Sequence, residues 1–258
     1  MQLDLKGKRA LITGASKGIG RAVAETLAGE GCDVDLAARD LPALEAAAAG
    51  IRARSQVVVR VFAADLASHQ DRARLIEACG TADILVNNAG SNPAGAIEDI
   101  DEPTWRAAWD LKVFGYIDMV RGFYARMKAR GGGVILNVIG NGGETMDADY
   151  ILGASGNIAL MGLTRALGSR SPDHNVRIVA VNPGLIETDR AVTMLRVWSE
   201  KQFGTPERWR EALASRNLPF GRMGTPREVA DVVAFLASPR AAYISGTVVT
   251  VDGGAVHR

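Results

Sequence analysis

Scarcity narrows what this chain of 258 residues can be. It has only two cysteines, Cys32 and Cys79, and they are widely separated. Two such thiols make neither a disulfide framework nor a metal-ligand pattern, and they read as packed side chains in a reducing compartment. No metal site is expected. The net charge is only +1, which gives no drive toward nucleic acid or an anionic membrane. No apolar run is long enough to span a bilayer, and the first strand pattern begins too early to leave room for a signal peptide. The expectation is a cytoplasmic protein, without nucleic-acid or membrane partners, that acts on a small molecule. No repeat, linker or low-complexity tract divides residues 1–258, so a single domain is expected.

What is present begins with Thr13-Gly14-Ala15-Ser16-Lys17-Gly18-Ile19-Gly20. The apolar run Ala10-Leu11-Ile12 precedes it, and the helical spacing Ile19, Val23, Leu27 follows. A strand, a glycine-rich turn and a helix start in this order make a phosphate cradle. The glycines let the backbone approach a pyrophosphate, and the N–H groups of the helix start face the anion.

Strand-like and helical runs alternate along the rest of the chain. Arg9–Ile12, Val34–Ala38, Val57–Phe62, Ile84–Val86, Val134–Val138, Arg177–Val181 and Thr247–Val251 are short and apolar, as expected of parallel strands covered on both faces. Helical patterns lie near Ile19–Ala28, Leu41–Ala49, Gln70–Ala78, Thr104–Ala129, Gly156–Gly168 and Pro226–Leu236. This rhythm predicts an α/β fold with a doubly wound parallel sheet. Residues 188–224 break it. They carry Trp198, Phe203, Trp209 and Phe220 without strand signals, and follow a late strand's C-terminal end, where such sheets bind ligands. They read as a helical substrate lid, or as an insert that packs or oligomerises.

Five motifs in order give the chain its resemblance. They are the glycine turn, Asp65-Leu66, Asn87-Asn88-Ala89-Gly90, Asn182-Pro183-Gly184 with Thr188, and the pair Tyr243-Ile244-Ser245-Gly246 and Val251-Asp252-Gly253-Gly254. The chain resembles the classical short-chain dehydrogenase/reductase family over its whole length. The resemblance implies a seven-stranded Rossmann-type sheet of order 3-2-1-4-5-6-7, a homotetramer or dimer, and a nicotinamide dinucleotide cofactor. It implies that Gly14, Ser16, Lys17, Gly18, Ile19 and Gly20 form the phosphate turn. Asp65 and Leu66 would contact the adenine. Asn88, Ala89 and Gly90 would pass beneath the adenosine ribose, and Pro183, Gly184 and Thr188 would hold the nicotinamide end.

The second strand bears on the choice of cofactor. A site that prefers NAD usually ends this strand with an acid bonded to the ribose 2′-hydroxyl. Here Ala38 stands at that position, Arg39 follows, and Lys17 adds a second cation. Two cations suit a 2′-phosphate, so NADP(H) is favoured. Asp40 is a competing group that could pair with Arg39 or contact a ribose.

The family's usual catalytic set is a serine, a tyrosine four residues before a lysine, and an asparagine on the long helix. Gly162-Leu163-Thr164-Arg165-Ala166-Leu167 sets the register. It puts Asn157 at the lysine position, Gly153 at the tyrosine position and Gly140 at the serine position. Lys112-Val113-Phe114-Gly115 puts Lys112 at the asparagine position. All four usual residues are replaced. A second register takes Tyr150 as the tyrosine, with Ala154 and Asn137 at the lysine and serine positions, but it needs a three-residue shift.

Lysine thus stands where asparagine is expected, and asparagine where lysine is expected. The two have exchanged helices in this reading, keeping an ammonium near the reacting centre. Lys112 shares a helical stripe with Trp105, Trp109 and Tyr116, so it should point inward, and burial would lower its pKa. Otherwise it fills space or snorkels to water. Tyr150 is the nearest phenol, and Asn141 and Glu144 are candidates to orient a substrate oxygen. The favoured activity is hydride transfer between NADP(H) and a carbonyl or alcohol, with Lys112, Tyr150, Asn157 and Asn141 in the non-standard site. The alternatives are an NADP(H)-binding sensor and a lyase- or hydratase-like enzyme.

Overall fold

The computed structural model describes residues 2–216 and 218–258. Seven parallel strands form one sheet in the order β3-β2-β1-β4-β5-β6-β7. They are β1 (Arg9–Thr13), β2 (Asp33–Ala38), β3 (Val59–Ala63), β4 (Ile84–Asn87), β5 (Gly133–Val138), β6 (Val176–Pro183) and β7 (Val248–Val251). Ten α-helices accompany them among the described residues: α1 (Gly18–Gly29), α2 (Leu41–Arg52), α3 (His69–Cys79), α4 (Glu102–Trp109), α5 (Gly115–Arg130), α6 (Gly142–Thr145), α7 (Ile151–Gly168), α8 (Asp189–Phe203), α9 (Trp209–Ala214) and α10 (Pro226–Ala237). This is the doubly wound sheet that the alternating pattern predicts, in a single domain.

The central strands are apolar on both sides because both sides are covered. Ala10 and Ile12 of β1 pack with Val23, Leu27, Leu44, Val229 and Val233 from α1, α2 and α10. Leu11, between them, points to the other face and joins Leu75, Met119, Phe123 and Met127 from α3 and α5. Side chains alternate across a strand, so one continuous run feeds two cores. Both cysteines lie in these cores, and burial pushes each thiol up to about 12. At neutral pH they are protonated and inert.

Three boundaries differ from the sequence reading in ways that shape the site. The third strand is Val59–Ala63 rather than Val57–Phe62, since Val57 and Val58 belong to the approach to the sheet. The run from Thr104 to Ala129 is not one α-helix. It starts at Glu102, where the Asp101 side chain accepts from the Thr104 N–H, and it is broken by a π turn over Asp110–Phe114. Helix α7 begins at Ile151, not Gly156. Its N-cap is Tyr150, whose side chain makes no cap, so no start signal was there to read.

Candidate active site

A cavity of about 1020 Å³ opens along the C-terminal ends of the strands. It lies where the strand order reverses between β1 and β4, the usual binding crevice of an open α/β sheet. Gly14, Ser16, Lys17, Gly18, Ile19 and Arg39 line one end. Leu66, Asn88, Ala89, Gly90, Pro183, Gly184 and Thr188 line its length, and Lys112, Asn141, Tyr150 and Asn157 its inner part. Two nominated residues are not in the wall. Gly20 lies beneath the turn, where an added Cβ would collide with the Gly14 carbonyl oxygen. Asp65 turns back on its own loop: its Oδ1 accepts from the Ala67 N–H at 3.0 Å, and its N–H donates to Asp71.

The glycine end is built from backbone. Gly14 and Gly18 have φ of +66° and +58°, which only glycine adopts without strain. The start of α1 has no side-chain cap, whereas Asp40, Ser68, Asp101, Thr188 and Thr225 cap α2, α3, α4, α8 and α10. Its first-turn N–H groups therefore stay available to an anion. Asp40 spends its Oδ1 on the Ala43 N–H at 3.0 Å, capping α2. Lys17 and Arg39 are exposed at the rim, and neither side chain has an ion pair or hydrogen bond among the described residues. An uncapped helix, a glycine turn and two unpaired cations fit a phosphorylated dinucleotide.

Hydrogen bonds join this end to the middle. Thr13 Oγ1 accepts from the Asn88 and Ala89 N–H groups at 2.9 and 3.1 Å, and Asn88 Nδ2 donates to the Thr13 and Gly14 carbonyls. Thr188 Oγ1 caps α8 by accepting from Ala191, and its methyl lies 3.3 Å from where Gly18 would carry a Cβ. The segment after β6 thus arches back to the glycine turn.

Lys112 sits in the π turn and is 6% exposed. Its Nζ donates to the Ile139 carbonyl at 2.6 Å. Asn157 Nδ2, from α7, donates to the Gly140 carbonyl at 3.2 Å. The two side chains therefore hold consecutive carbonyls of the loop that follows β5. Burial, and then the charge of Arg190, lower the Lys112 pKa to about 7. A desolvated ammonium beside a second cation loses its proton more easily. Asn157 Oδ1 is buried and has no donor among the described residues.

Tyr150 explains the two competing registers. Its ring lies over Gly153 and against Gly142: a Cβ on Gly153 would collide with Cζ and stand 2.6 Å from Oη. The phenol occupies the space over residue 153 although it hangs from residue 150. Other nominations are spent on structure. Glu144 accepts from Asn182 Nδ2 and from Thr250 Oγ1, away from the cavity. Asn141 lines the cavity, but its Nδ2 donates to Asp252 at 3.3 Å and its N–H to the Pro183 carbonyl, so it fastens the ends of β5, β6 and β7.

Sequence reasoning missed Arg190. From the first turn of α8 its Nη1 donates to the Gly90 carbonyl at 2.9 Å, and its Nη2 to the Asn92 carbonyl and to Tyr150 Oη at 3.2 Å. A signal was present, since a cation in the first helical turn opposes the helix dipole and needs another reason to be there. Of the four aromatics between 188 and 224, only Trp198 reaches the cavity, with the Arg216 guanidinium 3.4 Å above its ring. Phe203 and Trp209 stack under Arg208 and Arg210, and Phe220 is exposed.

A family model described as Enoyl-(Acyl carrier protein) reductase matches residues 14–256. The 3-oxoacyl-(acyl-carrier-protein) reductase FabG of Vibrio harveyi is 33% identical, over 98% of each chain. The NADPH-dependent reductase BacG of Bacillus subtilis is 29% identical over 96% of this chain and 98% of its own. The crystal structure of L-sorbose reductase from Gluconobacter frateurii, complexed with NADPH and L-sorbose, superposes with a TM-score of 0.91 at 31% identity and full coverage of both chains. The order of the strands, the glycine turn at the sheet's reversal point and these matches lead to one conclusion: the chain belongs to the short-chain dehydrogenase/reductase family.

Proposed function

We propose that the protein is an NADP(H)-dependent oxidoreductase that interconverts a carbonyl and an alcohol with a rearranged set of catalytic groups. The observation that carries this reading is Lys112: its buried side chain lines the same cavity as the glycine turn. The unpaired Lys17 and Arg39 support the 2′-phosphorylated cofactor, as do the NADPH-linked relatives. Ser16, Ile19, Leu66, Asn88, Ala89, Gly90, Pro183, Gly184 and Thr188 would hold the cofactor along the cavity. Gly20 would act from beneath by letting the turn close, and Asp65 by shaping the loop that presents Leu66.

A bound nicotinamide supplies a hydride to a carbonyl carbon, or accepts one from an alcohol. The chain's own task is to bring the oxygen close and handle its proton. Lys112 is the proton donor in reduction and, as the neutral amine, the acceptor in oxidation. Hydride and proton together turn the carbonyl into the alcohol, and the proton returns to the amine from water. A pKa near operating pH suits both directions. Asn157 holds the loop that Lys112 also grips, and its Oδ1 offers an acceptor to a hydroxyl. Tyr150 orients the substrate oxygen over Gly153, while Asn141 positions the loop. Residues 188–224 act as the lid, with Arg190 tying its base to the loop after β4. The same reading includes a cytoplasmic homo-oligomer, a dimer or tetramer, which light scattering and cell fractionation test.

The test is turnover of NADPH with a panel of ketones, aldehydes and alcohols, alongside Lys112→Met. Turnover that collapses in Lys112→Met with unchanged NADPH affinity supports the reading. NADPH binding without turnover on any substrate would favour the sensor or the lyase-like alternative.

A further inference from the structure

We infer that the inner end of the cleft recognises a carboxylate, so that the substrate is a small oxo acid or the matching hydroxy acid, held by Arg190 beside Lys112. The word substrate rests on the oxidoreductase reading; the anion site itself does not.

Two cations converge on one glycine. Arg190 Nη1 donates to the Gly90 carbonyl, and the Lys112 side chain runs 3.0 Å from where Gly90 would carry a Cβ. Among the described residues neither has a carboxylate partner. Lys112 donates only to the Ile139 carbonyl, and Arg190 to two carbonyls and a phenol. The carboxylates in the cavity wall, Asp40, Asp147, Glu187 and Asp189, are all exposed, and none forms an ion pair with either cation. Nothing negative opposes the effect of Arg190 on Lys112, whose proton is loosened by burial and by that neighbour alone.

The donors also outnumber what the protein uses. A guanidinium carries five N–H groups, and three of Arg190's are engaged, leaving Nε–H and one on Nη1. The Tyr150 oxygen accepts from Arg190, so its own hydrogen is free to donate. Like charges brought together in a partly desolvated cleft are costly unless an anion joins them. An acid with a carbonyl beside it meets both needs: its carboxylate faces Arg190 and its carbonyl oxygen faces Lys112.

The test has a binding arm and a turnover arm. In the first, oxamate and its neutral diamide, oxamide, are titrated by calorimetry into the NADP⁺-loaded protein. Oxamate is expected to bind at least about tenfold more tightly, as charge-assisted hydrogen bonds are roughly twice as strong as neutral ones. Arg190→Gln and Arg190→Met should abolish that preference, and Arg190→Lys should restore most of it. Melting curves of the variants establish that they fold. In the second arm, kcat/KM for a 2-oxo acid is compared with that for its amide and for a ketose phosphate. A preference of about 100-fold for the acid, lost in Arg190→Gln, supports the proposal. Equal binding of oxamate and oxamide, or a preference for the ketose phosphate, overturns it. So does an Arg190→Gln variant that loses NADP⁺ affinity but keeps its preference for acids. Oxamate binding without turnover of any oxo acid would keep the carboxylate site but overturn the oxo-acid substrate, and only a failure to turn over ketones, aldehydes and alcohols as well would sink the oxidoreductase reading.

Discussion

The two ends of the cavity are made of different materials. The cofactor end is backbone: a glycine turn, an uncapped helix start and the N–H groups tied to Thr13, all within contiguous stretches of chain. The inner end is side chain: Lys112 from a π turn, Asn157 and Tyr150 from the start of α7, and Arg190 from α8. Backbone sites tolerate little sequence change because a glycine position admits one residue. Side-chain sites can exchange parts, since an ammonium does similar work from whichever helix presents it. In this chain the first end keeps the family's motifs, and in the function proposed above it is the second end that rearranges them.

Substitutions can break or sharpen that contrast. The largest effect is expected at Lys112. Lys112→Met should lower kcat by about 10³-fold, within the range of general acid–base catalysis, and leave the NADPH Kd within about threefold. Stopped-flow turnover and fluorescence titration read the two. The reverse pattern is expected at Gly20. Gly20→Ala drives a Cβ into the Gly14 carbonyl oxygen, so NADPH affinity should fall by about 100-fold and the melting temperature should drop. Next come the rim cations. Lys17→Ala and Arg39→Ala should each weaken NADPH by about tenfold in calorimetry while leaving NADH unchanged, since each removes one charge-assisted contact to the 2′-phosphate. The smallest effect is at the phenol. Tyr150→Phe and Gly153→Ala should each lower kcat about fivefold, the second by expelling the ring, and the double variant should do no more, because both act on one group.

The same division explains what was legible in the sequence. Parallel strands buried on both faces show as apolar runs, so Ala10-Leu11-Ile12 could be read directly, and so could Val34–Ala38 despite the buried Asp35 within it. The glycine turn was equally plain, because its spacing is its mechanism. Lys112 was legible as an inward-facing lysine, although its helical stripe passes through a π turn that no residue pattern announced. The partners of Arg190 and the ring of Tyr150 over Gly153 were not legible. Both depend on where one segment's side chain crosses another segment, and sequence spacing holds no record of that. Asp65, Asn141 and Glu144 show the converse. Each is a polar residue near the crevice, and each bonds neighbouring backbone or side chains, as polar loop residues commonly do.

The central proposal is that, with Lys112 and Asn157 on each other's helices and the Tyr150 phenol reaching the space over Gly153, the Lys112 ammonium carries the proton. Its folded pKa is lowered to about 7, so the protonated form needed for reduction prevails below that pH and is lost above it. The decisive measurement is the single-turnover rate of carbonyl reduction by the NADPH-loaded protein from pH 5.5 to 9. The account requires a plateau below about pH 7 and a tenfold fall per pH unit above it, with a low, flat profile in Lys112→Met. A native profile that Lys112→Met reproduces would contradict it.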